Sequence, residues 1–198
     1  MKLILVRHGQ SEHNFKGIMQ GHIPSQLTEE GRKQARDVAN LLKNEHIDVI
    51  YASDLGRVVE TANIINIFHK KEIKITLVLR ERAMGKFEGQ PAEILDQAVK
   101  DSGEPYHIFR PEGGESCLDT RKKMILFLDE LIAKHSHKTI LLVTSGGNIL
   151  ELLLYLLNKS REDYKKYNPP NCGVSILECN GKNSCKLLMI NSKKIEEE

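Results

Sequence analysis

The chain lacks a hydrophobic run long enough to cross a bilayer. Its most apolar stretches, 140–143 and 149–157, are too short or are interrupted by polar residues, whereas a spanning helix needs about 20 apolar residues. Met1 and Lys2 lead directly into a strand-like segment, without the small-residue cleavage site of a signal peptide. We therefore expect a cytoplasmic protein with no membrane partner.

The chain also lacks an excess of charge of one sign. Its 29 basic and 27 acidic residues are interspersed and give a formal net charge of +2. Nucleic-acid binding usually needs a basic face, and the sequence shows no such cluster. A nucleic-acid partner is therefore not expected.

Cysteine is scarce, and its spacing does not match a metal site. The four cysteines are Cys117, Cys172, Cys179 and Cys185, without the close C-x-x-C pairs of zinc sites. Reduced structural thiols are the expectation for a cytosolic chain. A G-x-x-x-x-G-K motif is also absent, which argues against a nucleoside triphosphatase.

The pattern of apolar residues predicts strands that alternate with helices. With 198 residues, 40% of them hydrophobic, the chain can bury one core, and we expect one domain. The predicted strands are 2–6, 49–52, 73–79, 139–144, 174–179 and 186–190, the last two joined by a turn at Asn180-Gly181. The predicted helices are 28–43 with Thr28 as N-cap, 56–69 with Phe68 on the apolar face, 92–100, 118–134 and one from Ser145 to 157. Residues 80–89 are predicted as a loop, and a short charged tail begins at about 192.

This alternation is typical of a largely parallel sheet covered by helices on both faces. The predicted fold class is α/β, a three-layer α/β/α sandwich, with an antiparallel strand near the C-terminus. In such folds ligands bind beyond the carboxyl ends of the strands.

Chemically active side chains follow four of the predicted strands. They are Arg7 and His8 after the first, Arg57 after the second, Glu81 after the third, and Ser145 with Gly146 after the strand at 139–144. Guanidinium groups and helix N-terminal amides both favour phosphate oxygens. Imidazole is a competent nucleophile, and a nearby carboxylic acid can protonate a departing alkoxide, so the scheme needs no metal and no cofactor.

Each of these residues also has an ordinary explanation. Arg-His-Gly after a strand is usually a plain loop, Arg57 alone is more often a solvated helix residue, and Glu81 could simply pair with its arginine neighbours. Only their joint placement at strand ends favours a phosphoryl site.

The same residues lie in segments that resemble a known family. The run from Leu5 to Asn14 (LVRHGQSEHN) closely resembles the signature of the histidine phosphatase superfamily, the phosphoglycerate mutase-like proteins. Further matches are Gln20-Gly21, LTEEG at 27–31, SDL at 53–55 with Arg57, LRE at 79–81 and PEGGES at 111–116. The resemblance extends from Lys2 to about Ile190, and it implies a phosphoglycerate mutase-like fold that forms one domain over residues 1–198.

The resemblance also implies roles for these residues. His8 would be the nucleophile that becomes phosphorylated, Arg7 and Arg57 would hold the phosphoryl group, and Glu81 would be the proton donor. Asn14, Gln20, Gly21 and Gly146 would bind substrate, and Arg82 would reach a second anionic group. The implied partner is a small phosphorylated metabolite or inorganic phosphate, and the sequence leaves the oligomeric state open. Its length and motifs are most similar to the phosphatase branch.

One position departs from the family. The strand at 139–144 is followed by Ser145 where the family carries its second histidine. Serine can donate one hydrogen bond but no positive charge to the phosphoryl oxygens, so impaired turnover is expected. Ser145 is consistent with an introduced substitution, with a natural but weakly active phosphatase, or with a silent phosphometabolite-binding pseudoenzyme. A phosphoglycerate mutase is a third, less favoured reading because the chain is short. Substrate specificity is expected to lie in residues 83–115.

Overall fold

The centre of the fold is one seven-stranded sheet. The structure is a computed structural model that describes residues 1–181 and 184–195. Its strands are β1 Lys2–Arg7, β2 Val49–Ala52, β3 Ile73–Ile75, β4 Thr139–Thr144, β5 Val174–Cys179, β6 Cys185–Ile190 and β7 Lys193–Lys194. Its α-helices are α1 Glu12–Phe15, α2 Glu29–Leu42, α3 Gly56–Ile65, α4 Ala92–Ser102, α5 Cys117–His135, α6 Gly146–Leu156 and α7 Tyr164–Tyr167.

The order of the strands is β3-β2-β4-β1-β5-β6-β7. The pairs β3-β2, β2-β4 and β4-β1 are parallel, whereas β5, β6 and β7 join antiparallel to their neighbours. The expected parallel core with an antiparallel C-terminal part is confirmed, although three strands rather than one form that part. β1 and β4 are the central neighbours, so their carboxyl ends meet in the middle of the sheet.

Helices cover both faces, which confirms the three-layer α/β/α sandwich. On one face α5 and α6 pack on the odd-numbered positions of β1, such as Leu3 and Leu5. On the other face α2 and α3 pack on the even-numbered positions, such as Ile4 and Val6. Because a strand presents successive side chains to opposite faces, β1 must be apolar at every interior position, as its sequence is.

Several predicted boundaries agree with the structure to within two residues. Thr28 caps α2 by accepting a hydrogen bond from the amide of Gly31 at 3.0 Å, as expected from its position before Glu29. The helix predicted over 118–134 runs from Cys117 to His135, and Ser116 caps it.

The prediction that α3 extends to residue 69 was wrong. The helix ends at Ile65, and the side chain of Asn66 exchanges hydrogen bonds with the backbone of Lys71, which turns the chain back toward the sheet. Phe68 is therefore exposed instead of buried.

The third strand is shorter than predicted. β3 ends at Ile75, and Leu77–Leu79 forms a 3-10 turn with Thr76 as its N-cap. Leu79 therefore lies outside the sheet and is fully buried in the core with α5 and α6. Glu81 consequently follows this turn and does not directly follow a strand.

The expectation of four reduced thiols was wrong for two of them. Cys179 and Cys185 face each other in the antiparallel pair β5-β6 and form a disulfide, while Cys117 and Cys172 are free and buried. The spacing of the two cysteines around the turn does not reveal this pairing until the strand register is known. Disulfides are rare in cytosolic proteins, so the reasoning from a cytosolic context failed here.

The charged tail also differs from expectation at its start. Lys193 and Lys194 form β7 against β6, and Glu196, Glu197 and Glu198 lie outside the described residues. Among the helices of the described residues, none combines the length and the apolar character of a membrane span.

Candidate active site

The carboxyl ends of β1 and β4 bring Arg7 and His8, two predicted site residues, together with Ser145. Arg7 pairs with Thr144 in the parallel register of these strands, and the amide of His8 donates to the carbonyl of Thr144 at 2.9 Å. The chain leaves both strands at this point, so Arg7, His8 and Ser145 share one edge of the sheet.

His8 is buried and held in one tautomer. Its Nδ1 lies 2.8 Å from the carbonyl oxygen of Gly9. Because a carbonyl only accepts, Nδ1 must carry the proton and the lone pair must lie on Nε2. Burial, followed by the charges of Arg7 and Arg57, holds the pKa of His8 well below its usual 6.5. The imidazole is therefore neutral at physiological pH and has a free lone pair.

Arg7 and Arg57 are held by main-chain oxygens. Arg7 donates to the carbonyl of Pro169 at 2.8 Å, and Arg57 donates to those of Gly21 and Ile23 at 2.9 and 3.3 Å. Neither makes an ion pair with a carboxylate of the described residues. In each guanidinium the Nε atom is buried without a hydrogen-bond partner within the described structure. Two guanidinium groups with unpaired Nε donors therefore lie beside the imidazole, with the charge of Glu81 near both, and such donors favour a phosphate anion.

Glu81 is placed by its neighbours in the chain. The hydroxyl of Thr144 and the side-chain amide of Asn148 both donate to the carbonyl of Leu79, at 2.7 and 3.0 Å, and Asn148 also reaches the carbonyl of Arg80 at 2.9 Å. These bonds fasten the segment that carries Glu81 to the start of α6. The carboxylate of Glu81 lies close to the N-terminus of α6, since a Cβ added at Gly147 would be 2.7 Å from Glu81 Oε1.

A histidine outside the predicted site also contacts this segment. His22 Nε2 donates to the carbonyl oxygen of Glu81 at 2.8 Å. The same short loop supplies Gly21 and Ile23, whose carbonyls hold Arg57. The loop therefore links the position of Glu81 to that of Arg57.

Ser145 occupies the N-cap of α6 but does not act as a cap. Its side chain is fully buried, makes no capping hydrogen bond, and leaves its Oγ without a partner within the described structure. The neighbouring Gly146 lies against Arg7, where an added Cβ would be 3.2 Å from Nε. The N-terminus of α6 therefore lies beside Arg7, and a helix N-terminus favours an anion.

Three of the predicted substrate-binding residues lie in the segment that follows His8, with Asn14 in α1 and Gln20 and Gly21 in the loop after it. Asn14 accepts from Asn171 at 3.1 Å, Gln20 accepts from the hydroxyl of Ser11 at 2.8 Å, and the Gly21 carbonyl accepts from Arg57. Gly21 has φ +49°, and an added Cβ would be 2.0 Å from the carboxylate of Glu88, so only glycine fits. In this structure all three residues are engaged in holding the loops together.

Arg82 lies on the other side of Glu81, in a cavity of about 900 Å³. Its guanidinium donates to the hydroxyl of Tyr106 at 3.0 Å and to Cys117 Sγ at 3.4 Å. Glu81 and Gly147 also line this cavity, so it adjoins the start of α6, where Gly146 lies against Arg7. Residues 83–115 contribute part of its wall, and the segment 161–168, which the sequence did not indicate, contributes another part.

Some site residues were missed from the sequence. They are His22, Asn148, Tyr106, Glu151 and Arg161. Glu151 left a signal, because it is a lone carboxylate in the apolar run 149–157, whereas the others have ordinary polar surroundings in the sequence. Within residues 1–181 and 184–195, no group of three His, Cys, Asp or Glu side chains could hold a metal ion.

A family profile and two sequence relatives indicate the same family for this chain. The sequence profile of the histidine phosphatase superfamily (branch 1) matches residues 3–193. Phosphoserine phosphatase 1 of Hydrogenobacter thermophilus is 31% identical over 89% of this chain and 86% of that protein. The broad-specificity phosphatase of Saccharomyces cerevisiae is 31% identical over 83% of this chain and 74% of its own length.

Solved structures agree with the sequence relatives. The phosphoserine phosphatase of Entamoeba histolytica in complex with 3-phosphoglyceric acid superimposes with a TM-score of 0.84, at 32% identity and 97% coverage of both chains. The alpha-ribazole phosphatase of Shigella flexneri gives 0.87, at 25% identity and 100% coverage of both. The chain belongs to the histidine phosphatase superfamily.

Proposed function

We propose that this protein hydrolyses a small phosphorylated metabolite, without a metal ion, through a phosphohistidine intermediate on His8. The coarser assignment, a phosphoric monoester hydrolase, follows from the family. The observation that carries the finer proposal is the state of His8, which is neutral, keeps its lone pair on Nε2 and lies beside the guanidinium groups of Arg7 and Arg57.

The first half-reaction transfers the phosphoryl group to the histidine. The Nε2 lone pair of His8 attacks phosphorus, and the bond from phosphorus to the ester oxygen breaks with its electron pair going to that oxygen. Arg7 and Arg57 stabilise the charge on the phosphoryl oxygens. Glu81, in its protonated form, gives its proton to the departing oxygen.

The second half-reaction regenerates the enzyme. A water oxygen attacks phosphorus, the bond from phosphorus to Nε2 breaks, and the electron pair returns to His8. Glu81, now a carboxylate, accepts the proton of the water. The products are an alcohol and inorganic phosphate.

Ser145 is the residue that we expect to limit turnover. Its buried Oγ could donate one hydrogen bond to a bound phosphoryl group but no charge. Loss of one preorganised donor typically costs about 10²–10³ in turnover, so we propose that this sequence is impaired. The same observation supports a second candidate function, a silent module that binds phosphometabolites without turnover.

The proposed substrate is a small phosphomonoester whose leaving group occupies the cavity beyond Glu81. The related solved structures contain phosphoserine and 3-phosphoglyceric acid. A phosphoglycerate mutase remains less favoured, because the chain is short.

Hydrolysis of p-nitrophenyl phosphate, with and without EDTA, tests the proposal. We expect slow, steady hydrolysis that survives EDTA and disappears in His8→Ala, while the control His46→Ala, at an exposed histidine, keeps it. Phosphate binding without turnover by the unmodified protein would favour the silent module. Activity that EDTA abolishes, or that His8→Ala retains, would contradict the mechanism.

A further inference from the structure

Glu88 is a half-buried glutamate that the proposed mechanism does not use. It follows the 3-10 turn Gly85–Phe87, and its amide donates to the carbonyl of Gly85 at 3.0 Å. The amide of Gly89 donates to the carbonyl of Met19 at 2.8 Å. The backbone is therefore held on both sides of Glu88, and its side chain reaches the loop that follows α1.

One oxygen of Glu88 joins two segments of the candidate site. Its Oε1 accepts hydrogen bonds from the amide of His22 at 3.1 Å and from the amide of Met84 at 3.0 Å. Gly21 permits this approach, because a Cβ at that position would overlap the same oxygen. Hydrogen bonds to a carboxylate are roughly twice as strong as those between neutral groups, so Glu88 links the two segments strongly.

The link to His22 continues to Arg57 through one peptide group. The amide that donates to Glu88 and the carbonyl of Gly21 belong to the same peptide unit, and this carbonyl accepts from Arg57 at 2.9 Å. A peptide unit is planar and rigid, so the acceptor on one side fixes the direction of the carbonyl on the other. Glu88 therefore sets the orientation of a carbonyl that holds Arg57.

The link to Met84 continues to Glu81. Met84 lies three residues after Glu81, and the carbonyl of Glu81 accepts from His22 Nε2 at 2.8 Å. The two bonds of Glu88 and the His22 side chain thus close a ring that contains the segment of Glu81. Without Glu88, the His22 side chain alone would join this segment to the loop within that ring.

The charge of Glu88 has a smaller effect on Arg57. Burial lowers the pKa of Arg57, and the charges of Glu81 and, to a smaller extent, Glu88 oppose that shift. The described hydrogen bonds of the Arg57 guanidinium go to main-chain carbonyls and not to Glu88. The hydrogen bonds of Glu88, and not its charge, are therefore its main connection to the site.

We propose that Glu88 is a positioning residue, which orients the peptide group that holds Arg57 and fixes the segment of Glu81 to the same loop. It acts through the backbone and not on the substrate. Its loss should disturb phosphate binding and proton donation together. The proposal rests on the proposed function, in which Arg57 binds the phosphoryl group and Glu81 is the acid.

Three substitutions separate the reach of Glu88 from its charge. Glu88→Gln keeps the length and an oxygen that can accept from both amides, but it loses the charge. Glu88→Asp keeps the charge but is one methylene shorter, and Glu88→Ala loses both. The control is Glu112→Ala, at an exposed glutamate that pairs with Lys86. Thermal unfolding checks the fold, and Glu88→Asp replaces Glu88→Ala if the alanine variant does not fold.

Calorimetric binding of inorganic phosphate reports on Arg57. We expect Kd to rise about tenfold in Glu88→Ala and Glu88→Asp, because a misdirected hydrogen bond between charged groups has about that effect. Glu88→Gln and Glu112→Ala should keep the Kd of the unmodified protein.

The dependence of kcat on the leaving group reports on Glu81. Phenyl phosphate and p-nitrophenyl phosphate are similar in shape, but phenolate is the more basic leaving group and gains more from a proton. In Glu88→Ala we expect kcat for phenyl phosphate to fall by up to about 10²-fold, the effect of a misplacement of about 1 Å, and to fall less for p-nitrophenyl phosphate. Glu88→Gln should restore most of the loss.

The possible failures are distinguishable. An active Glu88→Asp with an impaired Glu88→Gln would overturn the positioning role and assign the effect to charge. Unchanged phosphate affinity in folded Glu88→Ala, or equal losses of kcat with the two esters, would also overturn it. Failure of the unmodified protein to bind phosphate would instead count against the proposed phosphatase site. If that protein binds phosphate without turnover, the phosphate affinities of the variants decide the proposal.

Discussion

Replacing Ser145 with histidine should raise phosphatase activity in a folded protein. Ser145 lies at the junction of β4 and α6, next to Gly146, which touches Arg7. An imidazole at this position would add a donor, and in its protonated form a charge, beside the phosphoryl oxygens.

The expected gain in turnover follows from the hydrogen-bond donor that residue 145 offers at present. The serine hydroxyl has no hydrogen-bond partner in the described structure, so at most one neutral donor is available from residue 145. One preorganised donor at a transition-state oxyanion is worth roughly 2.7–4 kcal/mol, which corresponds to a gain of about 10²–10³ in turnover.

Stability should respond differently from activity. An unsatisfied buried hydroxyl costs about 1–3 kcal/mol, so Ser145→Ala should be at least as stable as the present chain. Ser145→Ala should also be no more active than the present chain. A higher activity of Ser145→His would then come from the added imidazole and not from the loss of the hydroxyl. Ser145→Gln supplies a longer neutral donor if the imidazole prevents folding.

The assay is kcat/KM for p-nitrophenyl phosphate with thermal unfolding as the folding control. A change of only a few-fold in a folded Ser145→His protein would show that the limitation lies elsewhere. The silent-module hypothesis would then gain support over an impaired enzyme.

Three further predictions concern the groups around the proposed nucleophile and acid. Nitrogen NMR of labelled histidine should give His8 a pKa below 6.5 and a higher value in Arg7→Met, because removing a nearby cation favours imidazolium; an unchanged value would refute the electrostatic argument. Replacing His22 with phenylalanine should slow hydrolysis of an alkyl phosphate more than that of p-nitrophenyl phosphate, because the p-nitrophenolate leaving group needs no proton. His22→Gln should restore part of the lost activity. Equal losses with the two substrates would indicate a purely structural role for His22. Asn148→Ala should lower the free energy of unfolding by about 1–3 kcal/mol in urea titrations and also lower kcat, since buried carbonyls lose a donor; unchanged stability would show that this clamp is unimportant.

The three layers of the α/β/α sandwich can be predicted from the sequence, because the pattern of apolar residues is compatible with few arrangements of strands and helices. β1 is apolar at each interior position, and this is possible only for a strand covered on both faces. Thr28 before two glutamates is an N-cap with a physical cause, and α2 begins there. The placement of Arg7, His8 and Ser145 at one edge likewise follows from two parallel neighbouring strands.

The remaining features depend on tertiary register and could not be predicted. Asn66 ends α3 through bonds to a residue five positions later, although the apolar pattern continues to Phe68. Cys179 and Cys185 become partners only when β5 and β6 pair in one register. Arg161 meets Glu151 and Cys117 from a separate segment, so these contacts have no local signal in the sequence.

The most direct test of the central claim is the identity of the phosphorylated residue. Stoichiometric ³²P-labelled substrate, rapid quenching and peptide mapping would locate the phosphoryl group. The account predicts an acid-labile label on His8 that is absent from His8→Ala. An acid-stable label, or a label on a serine or aspartate, would contradict the histidine mechanism.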